Sequence, residues 1–223
     1  MIRLLLVDDH ELVRAGMRRL LADAPDMEVV GECASGEEAI PLARDLRPDV
    51  ILLDVSMPGM GGMETTRRIL QACPETRIIV VTVHMQEPWP SRMLEAGAAG
   101  YLTKSCAVDE IVNAIRTVMK GEVYLDPQIA RTLALSRLPG NDRSPFERLS
   151  RREMEVLLMV TRGHSIQEIS DALCLSPKTI STYRYRLYDK LGVSNDVELT
   201  HLAVRHGLID LDEVREERGD HRA

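Results

Sequence analysis

The stretch VILLDVSMPGMGG, residues 50–62, runs four apolar residues directly into a carboxylate, Asp54, and then turns at Met57-Pro58-Gly59. An apolar run without alternation predicts a β-strand that is buried on both faces. Asp54 would then stand at the carboxyl end of that strand. A solvated strand end also tolerates an acid, so this window by itself leaves two interpretations open. The rest of the chain favours a functional site.

Four more apolar runs, at residues 2–7, 27–31, 78–82 and 98–102, surround this strand in the sequence. Helical patterns separate the runs, and one of them opens with the capping box Ser35-Gly36-Glu37-Glu38. Pro41 lies inside that helix and should bend or shorten it. Five strand–helix units with right-handed crossovers predict an α/β fold with a doubly wound, five-stranded parallel sheet. Functional sites in such folds lie at the carboxyl ends of the strands.

The second half of the chain has a purely helical pattern. We expect a short helix at residues 126–136, a linker at 138–145 and an all-α region at 150–209. Ser165 begins a second capping box, and Ser176 is a helix N-cap followed by a proline at the first helical position. Two short helices joined by the tight turn Cys174-Leu175-Ser176 predict a helix-turn-helix.

Composition excludes several classes of protein. The 223 residues are 44% hydrophobic, which suffices for two domains with cores. The four cysteines form no CxxC pair, which argues against a zinc site and a disulfide framework and favours a reducing cytoplasm. The apolar N-terminal run is cut short by Asp8-Asp9, so it is neither a signal peptide nor a membrane span. The net charge is −7, but residues 176–191 form a local basic stripe.

The acids with the clearest chemistry follow strand ends. Asp8 and Asp9 follow the first predicted strand and Asp54 ends the third. In one crevice these carboxylates repel each other unless a cation is present, and hard oxygen ligands suit Mg²⁺. Thr82 and Lys104, at the ends of the fourth and fifth strands, supply the hydroxyl and the ammonium that a phosphoryl group binds. Asp54 is therefore interpreted as a nucleophile that forms an aspartyl phosphate.

Five segments resemble known proteins in the expected order. LLVDDHELVRAG, LLDVSMPGMGG, VVTVH and GAAGYLTK resemble the receiver domains of bacterial two-component response regulators. SRREMEVLLMVTRGHSIQEISDALCLSPKTISTYRYRLYDKLGV resembles their LuxR-type helix-turn-helix domains. Together they resemble the NarL/FixJ family, and within it most the GacA/UvrY group. The resemblance implies a receiver domain at 1–121, a linker with a short helix at 122–145, a DNA-binding domain at 146–209 and a tail at 210–223.

The resemblance also implies residue roles. Asp54 matches the phospho-acceptor, and the expected Mg²⁺ ligands are Asp8, Asp9, Asp54 and the Ser56 backbone carbonyl. The remaining positions that match are the switch hydroxyl Thr82, the phosphate-binding Lys104 and the switch aromatic Tyr101. Plain packing at a strand end is an alternative for Tyr101. The family often has proline after this lysine, whereas this chain has Ser105. The difference affects the expected shape of the turn after the fifth strand and not the expected chemistry.

The helix that begins at Ser176 is the predicted DNA-reading element. Its buried stripe is Ile180, Leu187 and Leu191, and the opposite side should enter the major groove. The candidates for base edges are Ser181, Thr182 and Tyr185. The candidates for phosphate contacts are Lys178, Thr179, Arg186 and Lys190. Tyr183 and Arg184 lie near the buried stripe and could either pack or reach a phosphate.

The expected function is phosphorylation-activated transcription regulation. The expected partners are promoter DNA, a sensor histidine kinase and a second copy of the chain, with no membrane. One alternative is an aspartyl-phosphate hydrolase, but such enzymes usually need a second acid two residues on, where this chain has Ser56, and no cap domain is visible. The other is a constitutive DNA-binding regulator whose receiver is a dimerisation platform. We therefore expect a cytoplasmic regulator that is not an enzyme.

Overall fold

The computed structural model describes residues 1–57, 59–136 and 144–209. The chain divides into two compact units. The first comprises Met1–Met85 and Trp89–Leu135, and the second contains residues 144–209. The predicted tail at 210–223 and residues 137–143 of the predicted linker lie outside the described residues.

The first unit is built on a parallel sheet with the order β2-β1-β3-β4-β5-β6. Its strands are β1 Ile2–Val7, β2 Met27–Cys33, β3 Val50–Leu53, β4 Arg77–Thr82, β5 Gly100–Thr103 and β6 Tyr124–Leu125. The order reverses between β1 and β3, and a doubly wound sheet opens its ligand crevice at such a switch point. The fold class predicted from the apolar runs is therefore confirmed.

The prediction of five strands was wrong, because β6 adds a sixth. This strand has two residues and pairs in parallel with β5, with Gly100 opposite Tyr124 and Tyr101 opposite Leu125. Tyr124 N–H donates to Ala99 O and Asp126 N–H donates to Tyr101 O, both at 3.0 Å. Two residues are too short to show any hydrophobic period. Hydrogen bonds to the edge of β5 create the strand.

The helices of the first unit cover both faces of the sheet. They are α1 Glu11–Leu21, α2 Gly36–Leu46, α3 Gly61–Ala72, α4 Trp89–Glu95 and α5 Val108–Met119, followed by α6 Pro127–Ser136. Leu4 and Leu6 pack in a core with α1 and α5. Leu5 and Val7 pack in a second core with α2 and α3. Alternate residues of one strand thus serve opposite cores, which is why the strand is apolar throughout.

Two local features of the helices differ from the sequence pattern. Pro41 lies inside α2 without shortening it, since the helix extends from Gly36 to Leu46. Leu12 carries the helical spacing of α1 but is 89% exposed, whereas Met17 and Leu21 of the same helix are buried. Periodicity therefore locates the helix, but packing decides which apolar side chains reach the core.

The second unit is helical, as predicted. After a 3₁₀ turn at Pro145–Arg148 come α7 Arg151–Thr161, α8 Ile166–Leu173, α9 Pro177–Leu191 and α10 Asp196–Arg205. Ser150 and Ser165 form capping boxes at the starts of α7 and α8. The Ser176 hydroxyl accepts from Thr179 N–H at the start of α9. These polar caps satisfy helix-end N–H groups that would otherwise lack partners.

The helix-turn-helix is formed by α8 and α9. Cys174 ends α8 in the left-handed region, with φ of 53°. The Ser170 hydroxyl donates to Leu175 O and closes the turn. Ile180 and Leu187 of α9 are fully buried. The opposite side of α9 is thereby left towards solvent.

Candidate functional site

The strand ends bring the acids of the first unit together. Val7 lies opposite Leu53 in the pairing of β1 with β3. Asp54 N–H donates to Val7 O at 2.8 Å, so Asp54 lies beside the residue that follows Val7, Asp8. Both acids are only 2% exposed. Buried carboxylates without compensation would be strongly disfavoured, so this pair requires a cation.

Lys104 provides one positive charge at this pair. Its Nζ lies 2.7 Å from Asp54 Oδ2 and 2.8 Å from Asp8 Oδ2. Burial raises the pKa of the Asp54 carboxyl, and the Lys104 ammonium offsets only part of that effect. Burial lowers the pKa of the Lys104 amine, but Asp54 and Asp8 outweigh it, so the pKa lies above its usual value. Lys104 therefore remains an ammonium ion that faces the Asp54 carboxylate.

The acids also have the spacing of a cation site. Ligand atoms of Asp8, Asp9, His10 and Asp54 all lie within 4.8 Å of one another. Asp9 Oδ1 is buried and accepts no hydrogen bond within the described residues, although His10 Nδ1 lies 2.9 Å away. Hard carboxylate oxygens at this spacing fit Mg²⁺, which prefers oxygen ligands and retains waters. Sequence reasoning did not single out His10, which follows the acidic pair directly.

The turn after Asp54 is held close to the start of α3. Ser56 N–H donates to Asp54 Oδ1 at 3.2 Å. Gly62 N–H donates to Val55 O, and a Cβ on Gly62 would lie 2.7 Å from Val55 Cα and 2.8 Å from Asp54 O. Only glycine permits this approach, which explains Gly62, the last glycine of the opening stretch. The predicted metal contact of the Ser56 carbonyl stays a prediction.

The two predicted switch residues lie in a buried group beside the acids. Thr82 and Tyr101 are both fully buried. Thr82 Oγ1 accepts from His84 N–H at 3.3 Å, and the Tyr101 hydroxyl donates to His84 O at 2.7 Å. Lys104 N–H donates to Thr82 O at 2.9 Å, so β4 and β5 hold these positions side by side. Both interpretations of Tyr101 remain compatible with this geometry, since the ring packs and its hydroxyl is engaged.

Sequence reasoning missed His84. It lies two residues beyond the end of β4 and is 7% exposed. Its Nε2 shares a hydrogen bond of 2.8 Å with Ser56 Oγ. Its ring stacks on Trp89, with centroids 5.1 Å apart and planes at 22°. The period of two along an extended chain, which points His84 in the same sense as Thr82, is the signal that could have identified it.

The predicted DNA-reading side of α9 is the exposed side. Lys178, Thr182, Tyr185 and Arg186 are exposed, with Tyr185 at 73%, while Thr179 and Ser181 are half-buried. The Ser181 and Thr182 hydroxyls donate to the helix carbonyls of Pro177 and Lys178. Each hydroxyl keeps free lone pairs that can accept a hydrogen bond from a base amino group.

Two cations of α9 are engaged within the second unit. Lys190 Nζ lies 2.7 Å from Glu153 Oε2, and Glu153 is 2% exposed. Burial raises the pKa of Glu153, but Lys190 and the hydrogen bonds from Ser150 outweigh it, so the pKa lies below its usual value. Arg184 pairs with Asp196 and contacts the Tyr188 hydroxyl. Of the two alternatives for Arg184, this geometry favours packing.

The chain is similar to known proteins over nearly its whole length. Residues 4–116 match the family described as response regulator receiver domain, and residues 147–203 match the bacterial regulatory proteins of the luxR family. The response regulator GacA of Pseudomonas aeruginosa is 52% identical over 211 residues, which cover 94% of this chain and 99% of that protein. The response regulator UvrY of Escherichia coli K12 is 52% identical over 209 residues, covering 93% and 96%. These similarities confirm the resemblance drawn from the motifs.

A solved structure is similar across both units. RcsB from Salmonella enterica serovar Typhimurium, bound to promoter rprA in the presence of the phosphomimetic BeF₃⁻, has a TM-score of 0.74 and 27% identity. The match covers 91% of this chain and 98% of that one. Within the part of the chain that the structure describes, no helix has the length and apolar character to cross a bilayer.

Proposed function

The chain belongs to the response regulators that join a receiver domain to a LuxR-type DNA-binding domain, and from this membership we propose that phosphorylation of Asp54 controls promoter binding by the second unit. One observation carries the proposal. The Asp54 carboxylate is buried at the end of β3, lies against the Lys104 ammonium and belongs to a cluster of acids that fits a dication. A nucleophilic carboxylate for phosphoryl transfer needs this combination of charges.

Each residue of the receiver site has a role in this proposal. An Asp54 oxygen attacks the phosphorus of a phosphodonor, which a sensor histidine kinase supplies, and the donor's leaving group departs opposite. Asp8, Asp9 and the Ser56 carbonyl would hold Mg²⁺, which supplies positive charge to the phosphoryl oxygens. Lys104, whose ammonium contacts Asp54 and Asp8, adds a second positive charge. The Thr82 hydroxyl then donates to a phosphoryl oxygen and shifts the surrounding surface.

The second unit binds DNA through α9 in this proposal. Ser181, Thr182 and Tyr185 face base edges in the major groove. The phosphate contacts are Lys178, Thr179 and Arg186, and Lys190 is the fourth candidate. For Lys190 a phosphate would compete with Glu153, which already holds its ammonium. Support comes from the similar RcsB structure, which contains promoter DNA and a phosphomimetic. A two-fold dimer on paired half-sites follows from the symmetry of such complexes.

The alternatives of an enzyme and a constitutive platform predict different behaviour. An aspartyl-phosphate hydrolase would turn over phosphate esters repeatedly, whereas a regulator gains one phosphoryl group per chain. A platform would bind DNA equally well with and without a phosphodonor. The buried Lys104–Asp54 contact favours the regulator, because a receiver that had lost phosphorylation would have no need to keep a buried acid together with the ammonium that compensates it.

Intact-protein mass spectrometry after treatment with Mg²⁺ and acetyl phosphate tests the proposal. The wild-type chain should gain the mass of one phosphoryl group, and Asp54→Asn should gain none. Asp49→Asn is the matched control, because Asp49 immediately precedes the other end of the same strand and its carboxylate accepts a hydrogen bond from Arg3 N–H. An Asp54→Asn protein that still gains the full mass would show that Asp54 is not the acceptor.

A further inference from the structure

The contacts of His84 include four anchors, and each of them uses a different part of the residue. Its backbone N–H donates to Thr82 Oγ1 at 3.3 Å, and its carbonyl accepts from the Tyr101 hydroxyl at 2.7 Å. Its Nε2 shares a 2.8 Å hydrogen bond with Ser56 Oγ. Its ring face stacks on Trp89, which is 4% exposed. A residue held this way cannot move unless its partners move with it.

Two of these anchors lie beside Asp54, and a third begins a helix. Ser56 follows Asp54 by two residues, and its backbone N–H donates to Asp54 Oδ1. Thr82 ends β4, and its carbonyl accepts from the backbone N–H of Lys104, the residue whose ammonium contacts Asp54. Trp89 is the first residue of α4. His84 therefore lies between the groups next to the acceptor carboxylate and the start of α4.

The Thr82 hydroxyl can serve two partners at once. A hydroxyl has one donor and two acceptor sites, so Thr82 can donate to a phosphoryl oxygen while it still accepts from His84 N–H. A phosphoryl group adds about two negative charges at Asp54 and attracts such donors. Any displacement of Thr82 towards Asp54 is then passed to the His84 backbone. The side chain of His84 receives a second displacement through Ser56.

From these contacts we propose that His84 is a positioning residue that couples the Asp54 phosphate to α4 through the Ser56 hydroxyl and the Trp89 ring. The inference rests on phosphorylation of Asp54 as proposed above. The Ser56–His84 hydrogen bond joins the loop after β3 to the loop after β4, whereas Thr82 and Tyr101 act through the backbone of His84. The imidazole is thus a side-chain connection between the acceptor loop and α4.

Trp89 makes the coupling measurable, because it is the single tryptophan of the chain. Its emission depends on the imidazole stacked against it. The full-length protein is treated with Mg²⁺ and acetyl phosphate, and Trp89 emission and intact mass are recorded on the same samples. The variants are Ser56→Ala, His84→Phe and the double variant. Val83→Ala is the matched control, since Val83 lies between Thr82 and His84 but is 57% exposed.

In the wild-type protein and Val83→Ala, emission should change in step with the mass gain. Loss of one neutral hydrogen bond in Ser56→Ala should lower the ratio of shifted to unshifted protein about 2- to 10-fold at equal phosphorylation. Each variant is compared with its own untreated baseline. The double variant should show the same ratio of shifted to unshifted protein as His84→Phe. Both single substitutions remove the same Ser56–His84 hydrogen bond, so their effects do not add. If His84→Phe fails to fold, Ser56→Ala decides alone.

Three outcomes distinguish a failure of Asp54 phosphorylation from a failure of the coupling through His84. If the wild-type protein gains no mass, the proposed function fails and this inference falls with it. If mass is gained but Trp89 emission stays constant, only the coupling through His84 is wrong. An equal emission change per phosphoryl group in wild type and Ser56→Ala would likewise overturn the role of the Ser56–His84 hydrogen bond.

Discussion

Lys190 is a candidate phosphate contact on DNA, but it also forms an ion pair with Glu153, and we expect the ion pair to be its main role. Its Nζ lies 2.7 Å from Glu153 Oε2, and the Glu153 side chain is 3% exposed against 39% for Lys190. In Lys190→Ala the buried carboxylate would keep the Ser150 N–H, at 2.7 Å, but would lose its cation. The substitution should therefore destabilise the packing of α7 on α9.

The size of the effect follows from the burial of the two groups. Removing one partner of a fully buried pair costs about 3–5 kcal/mol. Because Lys190 is more than a third exposed, water screens the pair, and we expect about 1–2 kcal/mol. That difference corresponds to roughly 5- to 30-fold faster native-state hydrogen exchange of the α7 amides if they exchange through opening of this unit. Exchange measured by mass spectrometry on the full-length protein localises the change to α7.

Lys178→Ala is the matched control, because Lys178 is exposed on the same helix. DNA binding of both variants is titrated over a range of salt concentrations. Lys178→Ala should reduce the salt slope by about 0.9 for one lost phosphate contact and leave α7 exchange unchanged. Lys190→Ala should do the reverse. If Lys190→Ala lowers the salt slope as much as Lys178→Ala and α7 exchange stays the same, the ion-pair reasoning is refuted.

Four further predictions follow from the site geometry. Because the pKa of Glu153 is lowered, its stabilising contribution is present above the unfolded-state pKa and is lost as pH falls through the folded-state pKa. Glu153→Gln should therefore weaken the rise in α7 hydrogen exchange that acidification causes. An unchanged rise at low pH would exclude this carboxyl as its origin. Tyr185→Ala should lose about 1–3 kcal/mol of discrimination between operator and random DNA at fixed salt, as competition binding would measure; intact discrimination would mean that Tyr185 does not read bases. Asp9→Ala should weaken Mg²⁺ binding, seen as a rightward shift in a Mg²⁺ titration of Trp89 emission, and an unshifted curve would remove Asp9 from the ligand set. A fragment of residues 146–223 should bind DNA with an affinity that acetyl phosphate does not change, whereas the full-length chain should bind more tightly after treatment; equal full-length affinity in both states would favour the constitutive platform.

The receiver fold and the position of its acids could be predicted because both depend on residues that are close together in the sequence. Residues 50–53 are apolar throughout since β3 is buried on both faces, and Asp54 follows at the strand end where a parallel sheet gathers its functional groups. The caps Ser165 and Ser176 are equally local, because each side chain bonds an N–H three residues away. Such features depend on neighbours along the chain, so that a single sequence reveals them.

Only the tertiary structure decided the features whose partners are far apart in sequence. The two-residue strand β6 exists because the edge of β5 offers it hydrogen bonds. His84 meets Ser56 across 28 positions, and Lys190 meets Glu153 across 37. Neither charge pattern nor periodicity specifies such pairs, because packing selects a partner from many residues of suitable chemistry. The same selection leaves Leu12 in solvent and buries the acid Glu153, against what their polarity alone would predict.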